Sequence, residues 1–321
     1  MRAPRKLKND FYYLLARLVY WLGNRLPRGV GLVLFGIFGA IGWLVPSREK
    51  RRTVQHLTMV LSDRLTKQEI RRTARAVFVN LGKNLFDALH LLGVSDAEFD
   101  RLVSHTDLSA VRAAYALGHG VVLITGHIGC FEMLLPFFAR KGIKHFAVGR
   151  RVYDSRIDEM IKSARNGADF EYLHRTENPR AIIRRLINEG KAFGVLVDQD
   201  TSVDGVFAHF LGRPAYSPSG PLRIALRYDI PTFVMFTARQ PDNTHRVIIS
   251  DRLVFEKSGD PGADLVRAVE QANAVLSKAI LDYPEQWVWM HRRWRRKPEA
   301  EGQRPDTRAA EVGSRKSDKC K

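Results

Sequence analysis

Cysteine is nearly absent from this 321-residue chain, and the two present, Cys130 and Cys320, have no partner at metal-ligand or redox spacing. A disulfide framework is therefore not the expected source of stability, and a reducing compartment fits best. Acidic residues are scarce as well. Against 34 Asp and Glu stand 52 Lys and Arg, giving a net charge of +18 and an isoelectric point near 10.2. Such an excess implies an anionic partner: nucleic acid, an anionic membrane or an acidic protein. Nucleic acid is the least favoured of these, because no zinc-finger or ribonucleoprotein signature occurs. Two catalytic signatures are also missing. No Gly-x-Ser-x-Gly elbow is present, and His56, His90, His105, His145, His174 and His209 have no zincin spacing. Apolar residues are plentiful: a 45% hydrophobic composition supports a packed core and excludes disorder of the whole.

Long charge-free runs are rare, and the longest is N-terminal. Arg2, Arg5, Lys6 and Lys8 lead into Phe11-Tyr12-Tyr13-Leu14-Leu15 and then into 19 uncharged residues from Gly29 to Ser47. No small-residue cleavage site follows, so a retained anchor over residues 1–47 is expected rather than a signal peptide. Its length suits a spanning helix, while Pro27 and five glycines (Gly29, Gly31, Gly36, Gly39 and Gly42) oppose one. A membrane-embedded hairpin or the glycine-rich core helix of a soluble protein gives the same pattern. Basic residues flank both ends and leave orientation undecided.

The stretch from Arg48 to about Leu92 has apolar residues spaced by threes and fours, predicting two helices. Beyond residue 119, short apolar runs at 121–125, 146–148, 192–197, 232–236 and 247–249 predict strands. Helical stretches at about 154–166, 178–190, 218–228 and 263–282 fall between or after them. Alternation of this kind predicts an α/β domain over residues 48–298, with a mostly parallel sheet flanked by helices. Arg213-Pro214 and Ser217-Pro218-Ser219-Gly220 read as turn chemistry leading into a helix capped by Ser219. Residues 299–321 hold almost nothing to bury and read as a disordered polar tail.

The segment with most chemistry is Gly126-His127-Ile128-Gly129-Cys130-Phe131-Glu132, directly after the predicted strand at 121–125. On a continuous helix His127 and Glu132 would point about 140° apart. With His127 in the glycine-bracketed turn and Glu132 in the first helical turn, the carboxylate can reach the imidazole. Such a pair suits acyl transfer: a neutral imidazole takes the proton of an attacking hydroxyl, while a carboxylate fixes the tautomer and stabilises the imidazolium. A surface-loop histidine is the bland alternative, and Cys130 beside His127 raises the separate prospect of a thiol nucleophile. Asp198 and Asp200, at alternate positions after a strand, can bind a metal, orient substrate or serve structure, and no third hard ligand is evident.

The His127-to-Glu132 spacing resembles the His-four-residues-acid signature of the glycerolipid acyltransferase superfamily. The wider chain resembles its lipid A biosynthesis branch, the late acyltransferases that add lauroyl or myristoyl groups. The resemblance covers most of residues 10–298. It rests on the N-terminal apolar segment, Phe78-Val79-Asn80-Leu81-Gly82-Lys83-Asn84, the His127 turn, Val197-Asp198-Gln199-Asp200, the following Gly205-to-Gly212 stretch, and Trp287-Val288-Trp289-Met290-His291-Arg292-Arg293-Trp294. Family members commonly carry Asn where this chain has Cys130.

The resemblance implies that His127 and Glu132 are catalytic and that Arg150 binds a substrate phosphate or the developing oxyanion. Gly126, Gly129, Asp198 and Asp200 are expected to shape the substrate side of the site, with no metal and no cofactor. The donor would be an acyl thioester on acyl carrier protein, or coenzyme A, whose acidic carrier suits a chain of net charge +18. The acceptor would be a hydroxyl of an anionic glycolipid, the lipid A precursor, at the cytoplasmic face of a bacterial inner membrane. The aromatic and basic run 287–297 reads as an interfacial belt, tryptophans at the membrane surface and arginines on phosphates. Two alternatives remain: a related enzyme with another acceptor, such as a phosphatidylinositol mannoside or an ornithine lipid precursor, and a non-enzymatic basic membrane-binding protein.

Overall fold

The computed structural model describes residues 3–149, 153–165, 169–174 and 179–298. Its N-terminal layer is helical: α1 (Ala3–Arg25), α2 (Arg28–Leu44), α3 (Arg48–Leu61) and α4 (Lys67–His90). Local chemistry sets the boundaries. Ser47 caps α3 by accepting from Lys50 N, and Thr66 and Glu69 form a reciprocal capping box that starts α4. The charge-free run is helical only as far as Leu44, before Pro46.

Glycines in α2 serve packing. A Cβ on Gly39 would lie 2.2 Å from the Phe78 carbonyl oxygen, and one on Gly82 of α4 would lie 2.0 Å from that of Phe35, so the two backbones touch. The opposite face of α2 is bare, with Val30, Val33, Ile37, Ile41 and Leu44 each half or more exposed. Phe11, Leu14, Leu18 and Trp21 are similarly exposed along α1. Among the described residues no single helix is long and apolar enough to cross a membrane; α2 and α3 reach that length and composition only as a pair bent by 87°. Residues expected to form the anchor thus fold as two helices, α1 and α2, laid against α4.

The remaining chain runs α5 (Asp96–Leu102), β1 (Val103–His105), α6 (Ser109–Ala116), β2 (Val121–Thr125), a 3-10 turn (Phe131–Met133), α7 (Leu134–Arg140), β3 (His145–Gly149), α8 (Ser155–Arg165), β4 (Phe170–His174), α9 (Pro179–Ile183), β5 (Ala192–Leu196), β6 (Gly205–Phe210), β7 (Arg213–Pro218), α10 (Gly220–Tyr228), β8 (Thr232–Arg239), β9 (His245–Ile249) and α11 (Pro261–Asp282). Seven strands form one sheet in the order β1-β9-β8-β2-β5-β3-β4, with β8–β9 the antiparallel pair. This is the expected α/β architecture. β2 and β8 are buried along their whole length, because helices cover both faces. Two strands not anticipated, β1 and β4, occupy the sheet edges. The stretch expected to be a turn around Arg213 is instead β7, paired with β6 in a separate hairpin. Ser219 does stand before α10, but its hydroxyl makes no cap and is buried without a partner.

The C-terminal segment is core, not an interfacial belt. Trp287 and Trp289 are fully buried and Trp294 nearly so, while Arg293 is sealed against the Tyr216 carbonyl and the Ser217 hydroxyl. Each indole finds neighbours among the others and Phe210. The predicted tail, 299–321, lies outside the described residues.

Candidate active site

β2 and β5 are parallel neighbours in register, Thr125 opposite Leu196. Two residues beyond these positions stand His127 and Asp198. The register therefore delivers both to the carboxyl edge of the sheet, where ligands bind in such folds. Asp198 Oδ1 lies 2.7 Å from His127 Nδ1, and Oδ2 accepts from the His127 backbone N–H and the Trp287 indole N–H, both at 2.7 Å. Burial alone would raise the Asp198 pKa, but the imidazole and these three donors outweigh it and hold the carboxyl well below its ordinary range. A carboxylate so placed requires the proton of neutral His127 on Nδ1 and leaves the Nε2 lone pair for chemistry.

The turn that carries His127 is fixed from several sides. Gly129 has φ +59°, and a Cβ there would lie 2.2 Å from the Thr237 carbonyl oxygen; one on Gly126 would lie 3.0 Å from Asp198 Oδ2. Gly126 and Gly129 therefore let the turn close over Asp198 and β8. The Asn84 amide donates to the Gly129 carbonyl (2.9 Å), the Thr237 hydroxyl to that of Ile128 (3.1 Å), and Gly129 N–H to the Gln286 carbonyl (2.9 Å). Behind Asn84 lies a buried charge cluster. Arg239 bridges Asn84 Oδ1 and Asp87, each at 2.7 Å, and Asp87 also receives His245 Nε2 (2.8 Å) and Arg28 Nε (2.9 Å). Despite the opposing effect of burial, these donors hold Asp87 ionised. Asn84, the last residue of the Phe78-to-Asn84 stretch noted in the sequence, thus ties the His127 turn to this cluster.

On its reactive side His127 meets Gln199 and His291. Gln199 Nε2 lies 3.0 Å from His127 Nε2 and 2.7 Å from His291 Nε2. One amide N–H can serve each ring only if both imidazoles present lone pairs. His291 suits this, since burial, aided by the nearby His127, lowers its pKa to about 4 and keeps it neutral.

Glu132 lies in the 3-10 turn, as expected, and lines a cavity together with His127. The expectation that Glu132 orients the imidazole must be set beside the geometry: the carboxylate on Nδ1 is that of Asp198. Asp198 is accordingly no substrate-facing group, being buried beneath the ring. Asp200 does not converge with it. Its buried carboxylate is occupied by Arg295 Nη2 (3.2 Å) and the Arg296 backbone N–H (2.9 Å), tying down the C-terminal segment. No cluster of three His, Cys, Asp or Glu suited to a metal occurs among the described residues. Cys130 is buried, and burial drives its thiol pKa far up, which removes the thiol-nucleophile reading. Arg150 lies outside the described residues.

The cavity measures about 240 Å³ and runs between one face of β2, β5, β3 and β4 and the overlying α7. Its walls are mainly apolar, with Leu123, Ala147, Leu135 and Phe138 among them, and His127 at one end. Sequence reasoning missed Asp198 as the partner of His127, and Gln199 and His291 altogether; each belongs to a quoted stretch but owes its role to strand order. A half-buried histidine backed by a buried carboxylate beside an apolar slot suits proton transfer to or from a group carried by an aliphatic chain. No curated protein matches the chain. A family model described as bacterial lipid A biosynthesis acyltransferase matches residues 8–296, a span that includes the His127 turn, Asp198 and the Trp287 segment, and the chain belongs to that family.

Proposed function

We propose that this acyltransferase moves a fatty acyl group from an acyl thioester, carried on acyl carrier protein, to a hydroxyl of a lipid A precursor. The observation that carries the reading is the His127–Asp198 pair at the mouth of an apolar cavity, 2.7 Å apart. His127 Nε2 takes the proton of the acceptor hydroxyl as its oxygen attacks the thioester carbonyl carbon. The tetrahedral adduct then collapses, the C–S bond breaks, and the imidazolium returns the proton to the departing thiolate. Asp198 holds the reactive tautomer, and Glu132 stands at the cavity wall beside the acyl slot. The acyl chain lies in the slot under α7, away from water. Arg150 is assigned to a phosphate of the acceptor on the family resemblance alone.

The bare apolar faces of α1 and α2 support residence on a membrane surface, and the +18 charge supports attraction both to anionic lipid and to an acidic carrier. We place the enzyme at the cytoplasmic face of the bacterial inner membrane, where thioester donors are available. Mass spectrometry of lipid A tests this, using a strain lacking its own late acyltransferases and complemented with the wild type, His127→Ala or Glu132→Ala. One added acyl mass with wild type, lost in His127→Ala at equal protein level, is expected. A well-expressed wild type that adds no acyl mass would sink the lipid A acceptor.

A further inference from the structure

Gly129, two residues beyond His127, is held by both of its backbone polar groups. Its carbonyl accepts from Asn84 Nδ2 (2.9 Å), and its N–H donates to the Gln286 carbonyl (2.9 Å). Both holds lead back to one residue at the end of β8. The Arg239 guanidinium donates from Nη2 to Asn84 Oδ1 (2.7 Å), while the Arg239 backbone N–H donates to Gln286 Oε1 (2.8 Å) and its carbonyl accepts from Gln286 Nε2 (2.9 Å). Side chain and backbone of Arg239 therefore reach the catalytic turn by separate routes that converge on Gly129.

The side-chain route also decides which way an amide faces. Asparagine has an acceptor end and a donor end, whereas a guanidinium has donors only. With Arg239 on Oδ1, the Asn84 NH2 must point the other way, at the Gly129 carbonyl. Arg239 is fixed in turn by Asp87 (2.7 Å), which His245 and Arg28 also hold. Stability alone does not account for such a cluster. The side chains of Asp87 and His245 are fully buried and that of Arg239 is 4% exposed, yet Arg239 Nε and His245 Nδ1 have no hydrogen-bond partner among the described residues. Well-packed apolar residues of similar volume often stabilise such a position as well or better. What they cannot supply is an oriented N–H on the Gly129 carbonyl.

Resting on the acyl-transfer reading above, we propose that Asn84 and Arg239 are positioning residues for His127: Arg239 sets the Asn84 amide, and the amide holds the Gly129 turn that aims the imidazole at the slot. Neither residue lines the cavity, so both act through the turn and not on substrate. Gly129 has φ +59°, a conformation that its neighbours must maintain. A misplacement of about 1 Å at a reacting group slows the reaction about 10²-fold, which makes kcat the sensitive quantity.

Asn84→Asp is the most direct test, because it keeps the size and the acceptor for Arg239 but sets a carboxylate oxygen against the Gly129 carbonyl. With a fixed acyl carrier protein thioester, kcat is expected to fall about 10²-fold while the thioester KM stays within about threefold. Asn84→Leu, similar in size and without polar atoms, gives the same split and replaces the first variant if melting shows that it does not fold. Arg239→Lys keeps a cation on Asp87 and probes the link from its other end. Because the Arg239 side chain acts through Asn84, the double variant Asn84→Leu with Arg239→Lys loses little more kcat than Asn84→Leu alone, whereas independent contributions multiply. A folded Asn84 variant with kcat within about threefold of wild type, or a double variant whose losses multiply, overturns the assignment. Unaffected variants beside an active wild type refute this inference alone, whereas no transfer from any thioester by wild type refutes the acyl-transfer reading beneath it.

Discussion

Asp198→Asn separates orientation from mere burial. The side chain accepts three hydrogen bonds, all at 2.7 Å: Oδ1 from His127 Nδ1, and Oδ2 from the His127 backbone N–H and the Trp287 indole. Asparagine has one acceptor oxygen. Two fixed N–H groups converge on the Oδ2 position, so the amide settles with its oxygen there and its NH2 facing His127 Nδ1. Nδ1 must then accept, the proton moves to Nε2, and the lone pair that would take the acceptor proton is lost. Replacing an orienting carboxylate in this way lowers kcat by about 10⁴-fold where geometry is otherwise kept. Two of the three bonds survive, so stability should fall by only about 1–2 kcal/mol. Glu132→Gln is the comparison, because it neutralises a carboxylate of the cavity wall without altering the Nδ1 contact. Steady-state kinetics with a fixed acyl thioester, alongside thermal melting, read both effects. A folded Asp198→Asn enzyme keeping kcat within about tenfold of wild type would refute the claim that Asp198 fixes the tautomer.

Four further outcomes follow from particular contacts. Asp87→Ala strips Arg28, Arg239 and His245 of their shared carboxylate, and a broken buried ion cluster costs about 3–5 kcal/mol, seen as a lower denaturation midpoint in urea. Gly129→Ala forces a side chain onto φ +59° and against the Thr237 carbonyl; the backbone alone costs about 1–2 kcal/mol, and activity should fall more steeply than melting temperature. Burial depresses the folded-state pKa of His145, His245 and His291, the last to about 4, so the folded chain binds fewer protons than the unfolded one below pH about 6.5. Stability is therefore intact at neutral pH and drains as pH falls below about 6.5, with His291 contributing up to about 1.4 kcal/mol per unit until about pH 4 and His145 and His245 adding in the same direction, a slope that melting curves measure directly. Val33→Asp with Ile37→Glu on the bare face of α2 should leave melting unchanged and weaken sedimentation with anionic vesicles severalfold; undiminished sedimentation would remove α2 from the membrane contact.

What was legible in the sequence and what was not divide along a physical line. Apolar runs and periodicity are local, so the five predicted strands and the long helices appear where expected, and the glycine-bracketed His127 is visible because turn chemistry is local too. Edge strands such as β1, at three residues, carry too little apolar signal to read. Partnership across the sheet is not local at all. Glu132 is five residues from His127 and drew attention for that reason, while Asp198 is 71 residues away and meets Nδ1 only because β5 pairs with β2 in register. The same order sends Asp200 to Arg295 and Arg296, and packs the tryptophans of 287–294 into the core, where composition alone suggested a membrane belt. Strand order is thus the missing variable for both the dyad and the slot. The glycine-bracketed His127 is visible within seven residues, but the carboxylate on its Nδ1 becomes readable only once the neighbours of β2 are known.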